Sequence, residues 1–252
     1  MFDELLKVVK TLRRRCPWDR KQTKDSIRPL LLNEVFELDE ALRKRNKQAI
    51  AEELGDYLFL GLFLAEVLRD EGIKLKEVLK MTIGKLKKRH PHIYGDVKVK
   101  SADEVLRNWE RIKDENGRGS ILEGIPSALP ALQQAQLIQE RCRRVGFDWK
   151  NPDEVLSKVE EEIRELKVET KKAQGRGRRK QIVEEVGDLL FAVVNLCRHL
   201  NVDAEGALKN ASLKFGKRFQ QVEKEFDRQG RKMGEVPIEE MEVVWQRIKK
   251  KG

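Results

Sequence analysis

The sequence predicts an all-α fold made of two tandem helical-bundle domains. Three observations carry that prediction. Apolar residues recur three and four positions apart, as at Leu5, Leu6, Val9 and Leu12. No sustained alternation or hairpin signal for strands appears. A set of acidic, basic and aromatic positions occurs twice in the same order, the mark of an internal duplication.

Residues 2–15 read as an amphipathic helix, broken by Cys16-Pro17-Trp18-Asp19 because Pro17 disfavours helix at the residue before it. A second helix, 25–44, has Asp25 or Ser26 as its expected N-cap and tolerates Pro29 in its first turn. It carries Asn33, Glu34 and Glu37. A turn at Arg45-Asn46-Lys47 leads to a third helix, 48–71, with Glu53 and Asp56 ahead of an apolar run and Gly72 as its C-cap. Helix 74–89 stops at His90-Pro91-His92, better read as a polar loop than as a metal site in a chain with three histidines. A short helix, 101–113, opens on a capping box of Ser101 and Glu104 and holds Trp109 and Lys113.

The stretch Asp114-Glu115-Asn116-Gly117-Arg118-Gly119-Ser120 is polar and rich in helix breakers, with Gly124, Pro126 and Pro130 following. It marks the expected linker, 117–130, between domains at 1–116 and 131–252. The pattern then restarts. Helix 129–145 ends at Gly146-Phe147-Asp148-Trp149, and Asn151-Pro152-Asp153 opens a helix carrying Glu161, Glu162 and Glu165. A basic turn at 174–180 precedes a helix with Glu185 and Asp188. A basic helix with Lys214, Phe215, Arg218 and Phe219 follows, and a last helix after Pro237 holds Trp245 and Lys249.

Hydrophobic residues make up 39% of the 252, enough for a core and against wholesale disorder. A net charge of +10 points to a polyanionic partner, either nucleic acid or a phosphorylated small molecule, or merely to solvated helix faces. The densest basic run, Arg176-Gly177-Arg178-Arg179-Lys180, is too short for a nucleic-acid tail. Cys16, Cys142 and Cys197 lie far apart without CxxC spacing, which argues against a disulfide framework or a zinc site. The uncharged apolar runs at 57–65 and 189–197 are too short to span a bilayer. The N-terminus has acids where a signal peptide has bases. The expectation is a cytoplasmic protein with no membrane partner.

Set side by side, Glu34 and Glu37 fall on Glu162 and Glu165, and Glu53-Leu54-Gly55-Asp56 falls on Glu185-Val186-Gly187-Asp188. Lys85, Arg89 and Trp109 fall on Lys214, Arg218 and Trp245, and Lys113 on Lys249. Acids three and four apart share a helix face, so two such helices packed together bring several carboxylates to one place. Hard oxygen ligands of this kind favour Mg²⁺, with Mn²⁺ as the next fit. The alternative is a solvated edge paired with Lys and Arg. Lys214 and Arg218, one turn apart, suit phosphate charge. Trp245 suits either a stacked base or a core. Glu161 or Glu162 suits a general base toward an attacking water. The pattern GxxxxGK[ST] is absent, which disfavours motor-type ATP hydrolysis.

These acids, with Cys16-Pro17-Trp18-Asp19, Lys88-Arg89-His90-Pro91-His92, Val145-Gly146-Phe147-Asp148-Trp149 and Val186-Gly187-Asp188-Leu189-Leu190-Phe191, resemble the MazG family of all-α nucleoside triphosphate pyrophosphohydrolases. The resemblance implies Mg²⁺-dependent cleavage of nucleoside triphosphates to monophosphate and pyrophosphate, with broad base tolerance. It implies metal ligands at Glu162, Glu165, Glu185 and Asp188, with Glu161 assisting. It implies nucleotide contacts from Lys158, Lys214, Arg218, Trp245 and Lys249, and a bundle completed by homodimerisation. A second, weaker or structural site would comprise Glu34, Glu37, Glu53, Asp56, Lys85, Arg89 and Trp109, because Asn33 stands where the later copy has Glu161, and an amide cannot act as a base. The rival reading is a nucleic-acid-binding or regulatory helical dimer without hydrolytic activity, which predicts salt-sensitive binding of DNA or RNA.

Overall fold

The computed structural model describes residues 1–101, 104, 105, 108, 109, 112, 119–172 and 178–251. Among them there is no strand. The chain divides into two compact units, Met1–Lys113 and Asp114–Gly252. The expected helix 101–113 falls largely outside the described residues, as do Lys113, residues 114–118 of the polar stretch 114–120 and most of the basic turn at 174–180. Residues 119–130 run as turns and bends.

The N-terminal unit comprises α1 (Phe2–Arg15), α2 (Lys24–Lys44), α3 (Lys47–Leu68), α4 (Leu75–Arg89) and a single turn, α5 (Pro91–Tyr94). Two corrections to the sequence reading arise here. The N-cap of α2 is Thr23: its hydroxyl accepts from Ser26 N–H at 3.3 Å, and Ser26 Oγ accepts from Thr23 N–H at 2.9 Å. A cap must lie outside helical dihedrals, and Thr23 sits at φ −123° and ψ 167°, which neither Asp25 nor Ser26 does from within the helix. The second correction is α5. Pro91 starts a helix rather than only ending one, since an N1 proline loses no needed N–H.

Helices α2 and α3 form a hairpin across Arg45, at φ 54°, and Asn46, whose side chain caps α3 by accepting from Gln48 and Ala49. Helix α1 packs on α3. Their shared core is Val9, Ile27, Leu60, Phe63 and Val67. Helix α4 buries no residue, although Leu79, Met81, Ile83 and Leu86 are apolar.

The C-terminal unit repeats the scheme with α6 (Ala131–Arg144), α7 (Pro152–Lys171), α8 (Arg178–His199), α9 (Ala204–Arg228) and α10 (Ile238–Lys251). Asn151 caps α7 by accepting from Glu154 N–H at 3.0 Å, ahead of Pro152 at N1. Helix α7 packs along α8, and α6 rests on α8 and α9. The far end of α9 packs on α10 around Val222, Phe226, Val236 and Val244. No helix of the described residues is long and apolar enough to cross a membrane.

Candidate active site

Packing α7 against α8 turns two helix faces toward each other. Glu162 on α7 and Glu185 and Asp188 on α8 each present a carboxylate oxygen within 4.8 Å of the other two. Glu162 is buried, its side chain only 6% exposed, while Asp188 is open to solvent. The N-terminal unit builds a comparable group from Glu34, Glu37 and Glu53. Glu165 and Asp56 lie outside these close groups, so each unit gathers three of its four matched acids.

Three like charges this close repel unless something positive lies among them. Lys158, one turn before Glu162, supplies part of that charge: its Nζ lies 2.7 Å from Glu162 and 2.9 Å from Glu161. Hydrogen bonds that Lys158 donates to the carboxylates of Glu162 and Glu161 hold its ammonium well above its ordinary value. Glu185 has no such partner among the described ion pairs. Partial loss of solvent, then the charges of Glu165, Asp188 and Glu162, push its carboxyl up. Convergent hard oxygens with surplus negative charge are the donor set a divalent cation of the Mg²⁺ type needs, so the residues present fit such an ion.

The raised Glu185 carboxyl has a measurable consequence. Unfolded, it ionises in its ordinary range; folded, it holds its proton to higher pH. Between those two values the folded chain binds more protons, so stability falls as pH rises through that window. Glu185→Gln is therefore expected to raise Tm at about pH 7 without divalent cations and to do much less at about pH 4. Thermal melts in chelator at both values check this, and an equal shift at both would rule out carboxylate repulsion as the cause.

Glu162, Asp188 and Lys158 also line one wall of a cavity of about 560 Å³ between α6, α7 and α8. Sequence reasoning missed its other walls. Phe147 and Trp149 stand at its edge, 80% and 46% exposed. Gln139, Asn195 and Arg198 add polar groups. Asp148 ties the loop of Phe147 and Trp149 to the end of α8, accepting hydrogen bonds from Arg198 and, at 3.0 Å, from His199. Burial works to raise the Asp148 carboxyl, but the Arg198 and His199 hydrogen bonds outweigh it and hold the group below its ordinary value. The available signal was Asn195 and Arg198 placed within and just past an apolar helical run.

Among the expected nucleotide contacts, only Lys158 reaches this cavity. Trp245 packs on the Phe215 ring at 4.8 Å and against the α9–α10 core. Lys214 and Lys249 are exposed and Arg218 is half-buried. In the N-terminal unit Arg89 lies over the Trp109 ring, 5.2 Å from its centroid, and Lys85 is exposed. Asn33 is exposed beside Glu34.

A family model, the MazG nucleotide pyrophosphohydrolase domain, matches residues 22–94 and again 150–223. The chain belongs to the MazG family. Both acidic groups fall within the matched stretches, so the two units are tandem MazG domains. The nucleoside triphosphate pyrophosphohydrolase/pyrophosphatase MazG of Thermotoga maritima is 41% identical to this MazG chain, over 99% of it and 96% of the relative. The nucleoside triphosphate pyrophosphohydrolase of Escherichia coli K12 is also 41% identical, over 99% and 97%. A crystal structure of a mazG-related protein from Thermotoga maritima is 30% identical, with a TM-score of 0.42, covering 44% of this chain and 98% of that one.

Proposed function

We propose that this MazG chain hydrolyses nucleoside triphosphates to monophosphate and pyrophosphate with Mg²⁺, tolerates different bases, and does so in its C-terminal domain. The observation that carries the reading is the close group Glu162, Glu185 and Asp188, of which Glu162 and Asp188 line a substrate-sized cavity. The names of the two relatives at 41% identity support the reaction.

In this reading Glu162, Glu165, Glu185 and Asp188 would hold the cation. A bound Mg²⁺ supplies charge neutralisation at the phosphates and polarises their oxygens. The chain's own residues do the rest. Lys158 brings an ammonium to the cavity wall, where phosphate oxygens can compete with Glu161 and Glu162 for its protons. Glu161, exposed and next to the metal-holding face, is placed to take a proton from an attacking water. The N-terminal group Glu34, Glu37 and Glu53 lacks that acid, because Asn33 occupies its position, and serves as a weaker or structural site.

Lys214, Arg218, Trp245 and Lys249 would serve the nucleotide from a second copy of the chain. Apolar residues left exposed on α7 and α8, among them Leu156, Val183, Leu190 and Phe191, support a homodimer that covers them. The deciding experiment incubates purified protein with ATP, CTP, GTP and UTP plus Mg²⁺ and identifies products by chromatography. Pyrophosphate with the monophosphate is expected, and none in chelator. Orthophosphate with the diphosphate would sink the reading.

A further inference from the structure

We propose that Lys158 is a displaceable counter-ion of the acidic group in the C-terminal domain. It neutralises Glu162 while no cation is bound, yields that carboxylate to a divalent cation, and turns its ammonium to the substrate's phosphates. The proposal rests on the reaction proposed above and adds a coupling between cation and triphosphate, which the N-terminal domain lacks.

The charges set the starting point. Glu162 is the buried member of its group, its side chain 6% exposed, and a carboxylate so placed needs a positive partner. Lys158 Nζ supplies one at 2.7 Å and reaches Glu161 at 2.9 Å. Glu185 and Asp188 each bring an oxygen within 4.8 Å of one on Glu162, and no other Lys or Arg pairs with this group among the described residues. A single ammonium thus faces Glu161, Glu162, Glu185 and Asp188. It leaves negative charge over for a cation, yet it repels any cation that comes to Glu162. The two compete for one carboxylate.

Stabilising the helix does not account for the pair. Along a helix, an acid four residues before a base is the better order. Asp39 with Arg43, Glu40 with Lys44, Glu140 with Arg144 and Glu205 with Lys209 follow it. Lys158 with Glu162 reverses it, as does the looser Lys180 with Glu184 at 3.7 Å.

The duplication supplies an internal control. With Glu34 set on Glu162, Lys158 falls on Leu30 and Glu161 on Asn33. The first copy therefore lacks both the lysine and the second carboxylate that holds it. Leu30 packs against the core of Val9, Ile27, Leu60, Phe63 and Val67, and Glu34, Glu37 and Glu53 still gather within 4.8 Å. Assembling the acids does not require the lysine. Lys158 belongs to the copy whose acids border the large cavity, which it lines together with Glu162 and Asp188. Its side chain is 34% exposed, so the ammonium has open space to turn into. On a flexible stem it offers three donors that phosphate oxygens can take up. Leaving both carboxylates frees Glu162 for the cation and Glu161 for a proton from water. Cation and triphosphate each clear the way for the other, so each binds more tightly in the other's presence.

Two measurements test this. In the first, the full chain receives a limiting pulse of acetic anhydride, and peptide mass spectrometry reads acetylation of Lys158 against that of exposed Lys7. Held between two carboxylates, the Lys158 amine is shielded, and Mg²⁺ is expected to raise its labelling about fivefold or more. Adding α,β-methylene ATP, whose α–β bridge resists hydrolysis, is expected to lower it again. In the second, Mg²⁺ is titrated calorimetrically into a Glu34→Gln chain, which weakens the first copy's group, with and without Lys158→Leu. Placing the first copy's leucine there is expected to tighten Mg²⁺ about tenfold. A lysine that only contacted phosphate, or only braced the helix, would leave both readouts where they were. Labelling that Mg²⁺ does not raise, labelling that the analogue does not then lower, or Mg²⁺ affinity unchanged or weakened in Lys158→Leu overturns the proposal. The labelling needs no variant, so it decides the matter should Lys158→Leu fail to fold. Pyrophosphate released while Lys158 labelling stays unmoved by Mg²⁺ removes the counter-ion and keeps the reaction. The expected labelling without pyrophosphate from any triphosphate keeps the counter-ion and removes the reaction.

Discussion

Glu162→Gln and Asp188→Asn are each expected to lower kcat for triphosphate hydrolysis by about 10³ or more, a loss of roughly 4 kcal/mol of transition-state stabilisation. Both exchanges keep side-chain length and volume while removing one charge from the close acidic group. Glu162 has the larger reach, since it is buried and also holds Lys158. The paired measurement is the rise in Tm on adding Mg²⁺, which is expected in the parent chain and absent from both variants, because a ligand stabilises only the state it binds. Glu34→Gln, the matching change in the first copy, is expected to leave hydrolysis within about twofold. Equal losses from Glu34→Gln and Glu162→Gln would contradict the assignment of catalysis to the C-terminal domain.

The second large effect concerns stability. Phe63→Ala removes the largest side chain of the α1–α2–α3 core, where Phe63 is 2% exposed and packs near the Phe59 ring. The lost transfer energy and the cavity left behind cost about 3–5 kcal/mol. That is a large share of the roughly 5–15 kcal/mol that holds a domain together. Denaturant unfolding should show an early transition in the variant. Phe147→Ala, at a ring 80% exposed, should move the midpoint hardly at all. A cost below about 1 kcal/mol for Phe63→Ala would mean the core is not as tight as its burial implies.

Helical periodicity and the doubled acids were legible in the sequence because both are local. Spacing alone puts Glu185 and Asp188 on one face of α8, and repetition shows which face pairs with Glu162. The cavity was not legible, because it depends on what is missing. Ala192 reads as an ordinary helix former, and only the packing of α6 and α7 against α8 makes it part of a pocket lining with Gln139. Asn195 and Arg198 sit within and just past an apolar run, and nothing local shows that Asp148, 50 residues away in the chain, holds Arg198. The membership of each acidic group was also beyond sequence. Four matched acids per domain were visible, but side-chain reach decides that Asp188 joins one group and Glu37 the other. Trp245 stood between base stacking and core, and its contacts with Phe215 and the α9–α10 core put it with the second in the single chain.

Helix α4 carries a consequence for how the protein behaves on dilution. Its apolar side chains Leu79, Met81, Ile83 and Leu86 are between 44% and 68% exposed, and it buries none of its residues. A helix of fifteen residues draws little stability from its own hydrogen bonds. Its order is therefore tied to whatever covers that face. If a second copy does so, the backbone amides of α4 will exchange with solvent faster as the protein is diluted, while those of α3 beneath Phe63 hold their protection. In that event α4 would report assembly, and its exchange rate would measure the dimer constant without any label.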